Sequence, residues 1–382
     1  MKIVFLHHAN IYRAGIERMM AIKANMLAEQ MGWEVVLLTY EQNAALFPYP
    51  LSSKVKCVDL NIHFYDAYKS VYPMRYFRKL ILRRRLAEVL RRFLQEQRPD
   101  IVICTDKDAH ELNALSQART TEIIVVEAHT GMIDHEMQVR RTHSFIRRQI
   151  AYKDMMRLKR AVSRYDVLIA LTASDARCWS SYVKTEVIPN CLSHDLGTMA
   201  DLSKEKKRVI MVGRVDYQKG QDLLSQAWLQ VSQRHPDWRL DLYGDGETTY
   251  VSEVKPLIDR QSSIVLHPST PDIFTEYQKS DFLVCSSRWE AFGLILIEAM
   301  SCGLPVVAFD CDNGPRSIIT DGEDGLLVKN GDVNALAEKI CWMIEHPLKR
   351  QQMGQIAWQH VASYRRETII QRYVSFLSSL LA

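Results

Sequence analysis

"SSRWEAFGLILIEAMSCGLPVVAFD", Ser286 to Asp310, holds two glutamates, Glu290 and Glu298, separated by seven residues. Glu290 sits between Trp289 and Ala291-Phe292-Gly293, and Glu298 is flanked by Leu296, Ile297, Ala299 and Met300. An unpaired carboxylate in apolar surroundings is costly to bury, so both acids call for a counter-charge or a ligand. "CGLPVV" then reads as a tight turn into a strand apolar on both faces, as in a parallel sheet. The stretch is therefore strand end, loop, helix and strand, the repeating unit of an α/β domain.

The same rhythm extends in both directions. Upstream, "RVIMVG", "WRLDLYG", "SIVLHP" and "DFLVCSS" are strands, and "GLLV" follows downstream. An earlier series runs "KIVFLHH", "WEVVLLT", "VKCVDL", "DIVIC", "EIIVVEAH", "DVLIAL" and "TEVIPN". Helices lie between them, including one from about Ile16 to Met31 and a long one near Met74–Gln97. This alternation implies two doubly wound parallel sheets covered by helices. A first domain is expected over 1–195, a linker over 196–206, a second domain over 207–360, and a terminal helix over 361–382 packing back toward the first domain. The gap between two such domains is the expected ligand site.

At 382 residues, 47% hydrophobic and 25% charged, the chain suits two soluble domains. Its eight cysteines form no CxxC pair, which excludes common zinc and redox motifs and fits a reducing cytoplasm. The start, "MKIVFLHHAN", is too short for a signal peptide, and no run of about 18 apolar residues is present to span a membrane. Residues 1–195 hold 29 Lys and Arg against 21 Asp and Glu, whereas 196–382 hold 20 against 24. The positive excess is concentrated in Met74–Arg98 and Val139–Arg164.

Candidate site residues cluster at strand ends. Arg214 and Lys219 follow "VIMVG" just before a helix, a pairing suited to a diphosphate. "YGDGE" places Gly244 at another strand end. It lacks the third glycine of a dinucleotide fingerprint, which disfavours a nicotinamide site. Gly293 permits close backbone approach, and a carboxylate such as Glu298 can accept two hydroxyl hydrogen bonds from a ribose or sugar ring. Two Asp-x-Asp runs, Asp106-Lys107-Asp108 and Asp310-Cys311-Asp312, are short enough to arise by chance. His7 and His8 end the first strand near the same cleft, either as structural residues or as ligand contacts.

Glu290 and Glu298 match the EX7E motif of retaining glycosyltransferases. With "VGRVDYQKG", "YGDGE", "VIPN" and "GPRSIITDGEDGLLV", the second half closely resembles glycosyltransferase family 4. "YRAGIERMM" resembles that family's first loop, with Ala14 standing where a first glycine is common. The resemblance implies the GT-B fold, two Rossmann-like domains facing a central cleft, with acceptor binding in the first domain and donor binding in the second. It implies that Arg214 and Lys219 hold the donor diphosphate, that Glu298 binds the ribose, and that Glu290 touches the donor sugar. Gly244 and the backbone of Ala291, Phe292, Gly293 and Leu294 would lie beside the donor. Gly15 would face the diphosphate, and His129 would lie near the transferred sugar and the acceptor hydroxyl.

The implied reaction is retaining transfer of a hexose (galactose, glucose or an N-acetylated relative) from a UDP-sugar to a glycan or glycolipid in bacterial polysaccharide or lipopolysaccharide biosynthesis. The alternatives are a GDP-mannose-dependent mannosyltransferase and an epimerase or binding protein of the same fold. No cofactor or metal is expected, because Arg214 and Lys219 supply the positive charge. The basic, aromatic-bearing helix near Arg75–Arg92 suits peripheral contact with an anionic membrane from the cytoplasmic side. No known nucleic-acid module is visible.

Overall fold

The computed structural model describes residues 1–382 except Tyr12, Ser70, Tyr72, Asp108, Thr142, His143, Gly197, Thr198, Glu247 and Asp312, and except the side chains of Tyr68 and Thr248. It divides into two compact units, Met1–Pro189 with Ile370–Ala382, and Asn190–Ile369.

The first unit is built on a seven-stranded sheet. Its strands are β1 (Lys2–His7), β2 (Glu34–Thr39), β3 (Val55–Asp59), β4 (Ile101–Thr105), β5 (Ile123–Ala128), β6 (Val167–Ala170) and β7 (Thr185–Val187). All pairings are parallel, in the order β3-β2-β1-β4-β5-β6-β7. Central strands such as β4 are buried throughout, which is why they read as unbroken apolar runs. Helix Gly15–Glu29 places Met19, Met20, Lys23, Met26 and Leu27 on its buried face. Helix Met74–Gln97 divides along its length. Leu86, Leu90, Phe93 and Leu94 are buried, whereas Tyr76, Phe77 and Ile81 near its start are exposed.

The second unit carries β8 (Arg208–Val212), β9 (Arg239–Tyr243), β10 (Ile264–His267), β11 (Phe282–Cys285), β12 (Val306–Asp310) and β13 (Gly325–Lys329). They form a parallel sheet in the order β10-β9-β8-β11-β12-β13. The strand order of the first unit is thus repeated, with β8 and β11 at the point where it reverses. Val209, Met211, Leu240, Phe282, Val284, Val307 and Phe309 pack with helix residues such as Leu224, Trp228 and Ile340 in one core.

The domain boundaries differ from the sequence expectation. The division falls at Pro189 instead of 195, and the described residues of the expected linker 196–206 belong to the second unit. Ala200 and Leu202 are buried there, the Ala200 N–H donates to the Cys302 carbonyl at 2.7 Å, and Met199 lies against Gly303. The apolar members of an otherwise polar stretch are what dock it. The end of the chain is also not one helix. A 3-10 turn, Val361–Tyr364, precedes helix Arg366–Ser379, and the division falls within that helix at Ile370.

Candidate active site

In open α/β sheets, ligands bind beyond the carboxyl ends of strands at the reversal point. In the second unit that edge is crowded with backbone. Gly244, after β9, has no room for a side chain: a Cβ there would stand 2.0 Å from the Gly213 carbonyl oxygen after β8. A Cβ on Gly220 would meet the Ser286 carbonyl oxygen at 2.3 Å, and one on Gly314 the Phe292 carbonyl oxygen at 2.3 Å. These close approaches draw the loops after β8, β11 and β12 together.

The loop from Arg214 to Gly220 is pinned from several sides. The Ser286 hydroxyl donates to the carbonyl oxygens of Lys219 and Gly220, both at 3.0 Å. Arg288 donates to the Tyr217 carbonyl at 2.7 Å, stacks on the Tyr217 ring at 3.9 Å, and holds Asp222 in a two-pronged contact at 2.9 and 2.6 Å. Asp216 receives the Lys219 N–H at 3.0 Å. Arg288 was absent from the sequence-based site. Its spacing from Asp222 carries no local signal, because the two residues belong to different loops.

Lys219 lies with its aliphatic chain over Gly213 and its Nζ 2.5 Å from Glu290 Oε1. The Ser287 hydroxyl donates to the same oxygen at 2.8 Å. Burial works against the Lys219 charge, but the Glu290 carboxylate outweighs it and holds the ammonium above its ordinary range. Glu290 has the counter-charge that its surroundings called for.

The remaining donor candidates are placed differently. Arg214 points outward with 69% of its side chain exposed, and its contact is Asp216 at 3.1 Å. The structure does not gather it with Lys219 and Glu290. Helix Leu294–Ser301 begins after Gly293, whose φ of +90° favours glycine. Phe292 and Gly293 are buried, and Ala291 and Leu294 are half-buried. Glu298 is 2% exposed and accepts from the Ser193 hydroxyl at 3.1 Å. Of the two Asp-x-Asp runs, Asp108 and Asp312 lie outside the described residues. Asp310 is paired with Arg316 at 2.7 and 2.6 Å. Among the described residues no cluster of three or more His, Cys, Asp or Glu is disposed to hold a metal ion.

In the first unit, His129 follows β5 with its imidazole 2% exposed and Nε2 2.7 Å from Glu127 Oε2. Glu127 Oε1 accepts from Lys23 Nζ at 2.8 Å and from the Tyr373 hydroxyl at 2.6 Å. Burial alone pushes the Glu127 carboxyl up, but Lys23 and His129 outweigh it and hold Glu127 far below the usual carboxylate range. The loop after His129 is fixed by buried acids. Asp106 accepts from the Thr130 and Gly131 N–H groups at 3.0 and 2.9 Å, and Asp175 from Met132 N–H at 2.8 Å. Gly15 opens helix Gly15–Glu29 and is half-buried. His7 stands 3.7 Å from Glu17, and His8 Nε2 stands 2.8 Å from Glu41. Glu127, Lys23 and Tyr373 were not foreseen as partners of His129, since each lies in a separate sequence segment.

Two doubly wound units of matching strand order define the GT-B fold. Residues 13–196 match the family model Glycosyltransferase Family 4, and residues 200–360 match Glycosyl transferases group 1. The chain is a GT-B glycosyltransferase. It is 26% identical over 369 residues to an uncharacterized glycosyltransferase of Haemophilus influenzae, covering 95% of this chain and 96% of that one. It is 30% identical over 200 residues to the amylovoran biosynthesis glycosyltransferase AmsD of Erwinia amylovora, covering 52% of this chain and 56% of AmsD. The crystal structure of Anabaena HepE in complex with UDP and glucose superposes with a TM-score of 0.75 at 19% identity, covering 99% of this chain and 100% of that one. That likeness is one of fold.

Proposed function

We propose that the chain is a retaining enzyme that transfers a hexose, namely galactose, glucose or an N-acetylated relative, from a UDP-sugar to a glycan or glycolipid acceptor in bacterial polysaccharide biosynthesis. The observation that carries this reading is the Lys219–Glu290 pair at 2.5 Å, set beside the glycine-lined ends of β8 and β11. Cleaving a sugar nucleotide leaves negative charge on the diphosphate and positive charge on the sugar ring. A fixed ammonium and a fixed carboxylate in adjacent positions match that separation, and preorganised charge is usually the largest catalytic contribution. Each charge-assisted contact to the donor is worth about 1.5–3 kcal/mol.

In this reading Lys219 stabilises the departing diphosphate and Arg214 swings from Asp216 to join it. Glu298 receives the ribose hydroxyls and Glu290 orients the donor sugar. Gly244 and the backbone of Ala291–Leu294 leave room for the donor. Gly15 and His129 are the first unit's own candidates for contact with a sugar or its phosphate. Transfer needs no metal, since Lys219 and Arg214 provide the positive charge. The donor assignment draws support from HepE, crystallised with UDP and glucose, and the pathway from AmsD, named for amylovoran biosynthesis. Among the described residues no helix is long and apolar enough to cross a membrane. The exposed Tyr76, Phe77 and Ile81 beside Arg75 and Arg78 support peripheral contact with an anionic cytoplasmic surface.

The test is incubation with UDP-glucose, UDP-galactose, UDP-N-acetylglucosamine and GDP-mannose, with and without EDTA, followed by nucleotide release. UDP release that survives EDTA, with an anomerically retained product by NMR, is expected. GDP release from GDP-mannose alone identifies a mannosyltransferase. Sugar isomerisation without release identifies an epimerase, and a melting shift without turnover a binding protein.

A further inference from the structure

The buried residues of helix Phe145–Val162 are Leu158, Ala161 and Val162, all in its last turns. Every residue from Ser144 to Ile150 is exposed. Length accounts for this. The 18 residues of the helix run about 27 Å, whereas the 6 residues of β5 beside it reach about 20 Å. The last turn leads into β6, so the excess projects beyond the carboxyl edge of the sheet, where there is no core to cover it.

The projecting end is apolar and basic together. Phe145 is 75% exposed, Ile146 71%, Ile150 54% and Tyr152 49%. Arg147, Arg148 and Lys153 alternate with them. From Met137 to Lys153 the chain has no Asp or Glu. The acids that bound this stretch, Glu136 and Asp154, pair with Arg140 at 3.4 Å and with Arg157 at 2.8 Å. A groove of about 300 Å3 lies between this end and the preceding helix Gly131–Arg141, lined by Val139, Phe145, Arg148, Gln149 and Tyr152.

Helices Met74–Gln97 and Phe145–Val162 both pack against helix Ala109–Ala118, and the three lead into the adjacent strands β4, β6 and β5. They therefore cover one face of the sheet and start at its carboxyl edge. The exposed Tyr76, Phe77 and Ile81 at one start and Phe145, Ile146 and Ile150 at the other stand on the same side of the unit.

At 100° per residue, Phe145, Ile146 and Ile150 and the cations between them point in directions all round the helix axis. A flat protein partner covers one side of such an end. A fluid bilayer interface surrounds it, taking apolar side chains among acyl chains and cations among lipid phosphates. We infer that the start of helix Phe145–Val162 is a second membrane-docking element, which inserts Phe145, Ile146 and Ile150 into an anionic phospholipid surface while Arg147, Arg148 and Lys153 meet its phosphates. The inference rests on the reading that this side of the unit meets lipid, proposed above for the start of helix Met74–Gln97. Two weak anchors on one side hold where a single one binds only marginally.

The experiment is co-sedimentation of the intact protein with vesicles of phosphatidylcholine alone and of an equal mixture with phosphatidylglycerol. Binding to the mixed vesicles is expected to be about ten-fold or more tighter. Phe145→Ser with Ile146→Ser and Ile150→Ser is expected to weaken that binding by about ten-fold or more. Arg147→Gln with Arg148→Gln and Lys153→Gln is expected to remove most of the preference for the anionic lipid. Melting curves establish that the variants are folded, and sedimentation velocity gives their oligomeric state. Undiminished binding by the Phe145 set overturns the inference. If Tyr76→Ser with Phe77→Ser and Ile81→Ser then abolishes binding, the earlier reading of helix Met74–Gln97 stands without this one. Loss in the Phe145 set with none in the Tyr76 set upholds this inference and removes the other helix from the contact. Equal binding to the two kinds of vesicle overturns the inference. So do wild-type dimers that the Phe145 set dissociates, since they assign the surface to a second copy of the chain.

Discussion

The Tyr373 hydroxyl donates to Glu127 Oε1 at 2.6 Å, joining residues 246 positions apart in sequence. The same oxygen takes Lys23 Nζ at 2.8 Å, with both charged side chains nearly inaccessible. Removing one member of a buried pair strands the other charge, at a cost of about 3–5 kcal/mol. Glu127→Gln is therefore expected to lower stability in urea by that amount. Tyr373→Phe loses one hydrogen bond to a charged group, about 1.5–3 kcal/mol. A Tyr373 variant less stable than the Glu127 variant contradicts this ranking.

Lys219 and Arg214 carry the same charge but sit in different surroundings. Lys219→Ala removes the ammonium beside Glu290 and is expected to slow nucleotide release by about 10²–10³-fold, the scale of losing one preorganised group. Arg214→Ala is expected to raise the donor KM more than it lowers kcat, and to leave stability within about 1 kcal/mol, because an exposed ion pair contributes little. Lys219 is held above the usual lysine range by Glu290, so its charge persists across neutral pH. A rate that declines from pH 7 to 9 in the wild type but not in the residual activity of Lys219→Ala contradicts that assignment. Steady-state kinetics of the two variants across pH supplies the measurement.

Backbone crowding beyond the carboxyl ends of β8, β9, β11 and β12 leaves no room for a side chain at two glycines. Gly244→Ala and Gly314→Ala each force a methyl to within 2.0 and 2.3 Å of a carbonyl oxygen, and the loops must move apart. A loss of about 1–3 kcal/mol or more is expected for each, with weakened UDP binding. Gly331→Ala, where nothing lies within 4 Å but φ is +80°, tests strain without crowding and is expected to leave UDP binding unchanged. Isothermal titration with UDP separates the two effects.

Asp175 is pushed up to about 7, first by burial and further by nearby Asp106, against the pull of the Met132 N–H. The folded state therefore holds a proton that the unfolded state has released above pH 4. Stability should fall as pH rises from about 4 to about 7, by up to about 1.4 kcal/mol per unit at its steepest, and then level off. Asp175→Asn keeps an acceptor for Met132 and removes the titration. Its stability relative to the wild type should climb over that interval. Parallel pH profiles for the two proteins would dismiss the assignment.

Both sheets were legible in the sequence because parallel strands buried on two faces are unbroken apolar runs, as in "IVICT" and "VVAFD". The acids Glu290 and Glu298 stood out because each interrupts apolar surroundings. What periodicity does not encode is the partner of a buried charge. Lys219 and Glu290 are 71 positions apart, and Lys23 and Glu127 are 104 apart. Such pairs are created by strand order, which joins β1 to β4 and β8 to β11 across long intervening segments. Arg214 illustrates the converse, a residue type suited to a site whose rotamer takes it to Asp216. The stretch 196–206 reads as a linker because polar residues outnumber the few apolar ones that dock it.

Tyr373 has a consequence for synthesis. Chains emerge from the ribosome amino end first, so Met1–Pro189 is translated long before the residue that completes the Lys23–Glu127–His129 cluster. Until helix Arg366–Ser379 has been made, Glu127 lacks the hydrogen bond from the Tyr373 hydroxyl. A premature stop just upstream of Tyr373, even one sparing the whole unit Asn190–Ile369, therefore removes a partner from the part of the molecule that was made first.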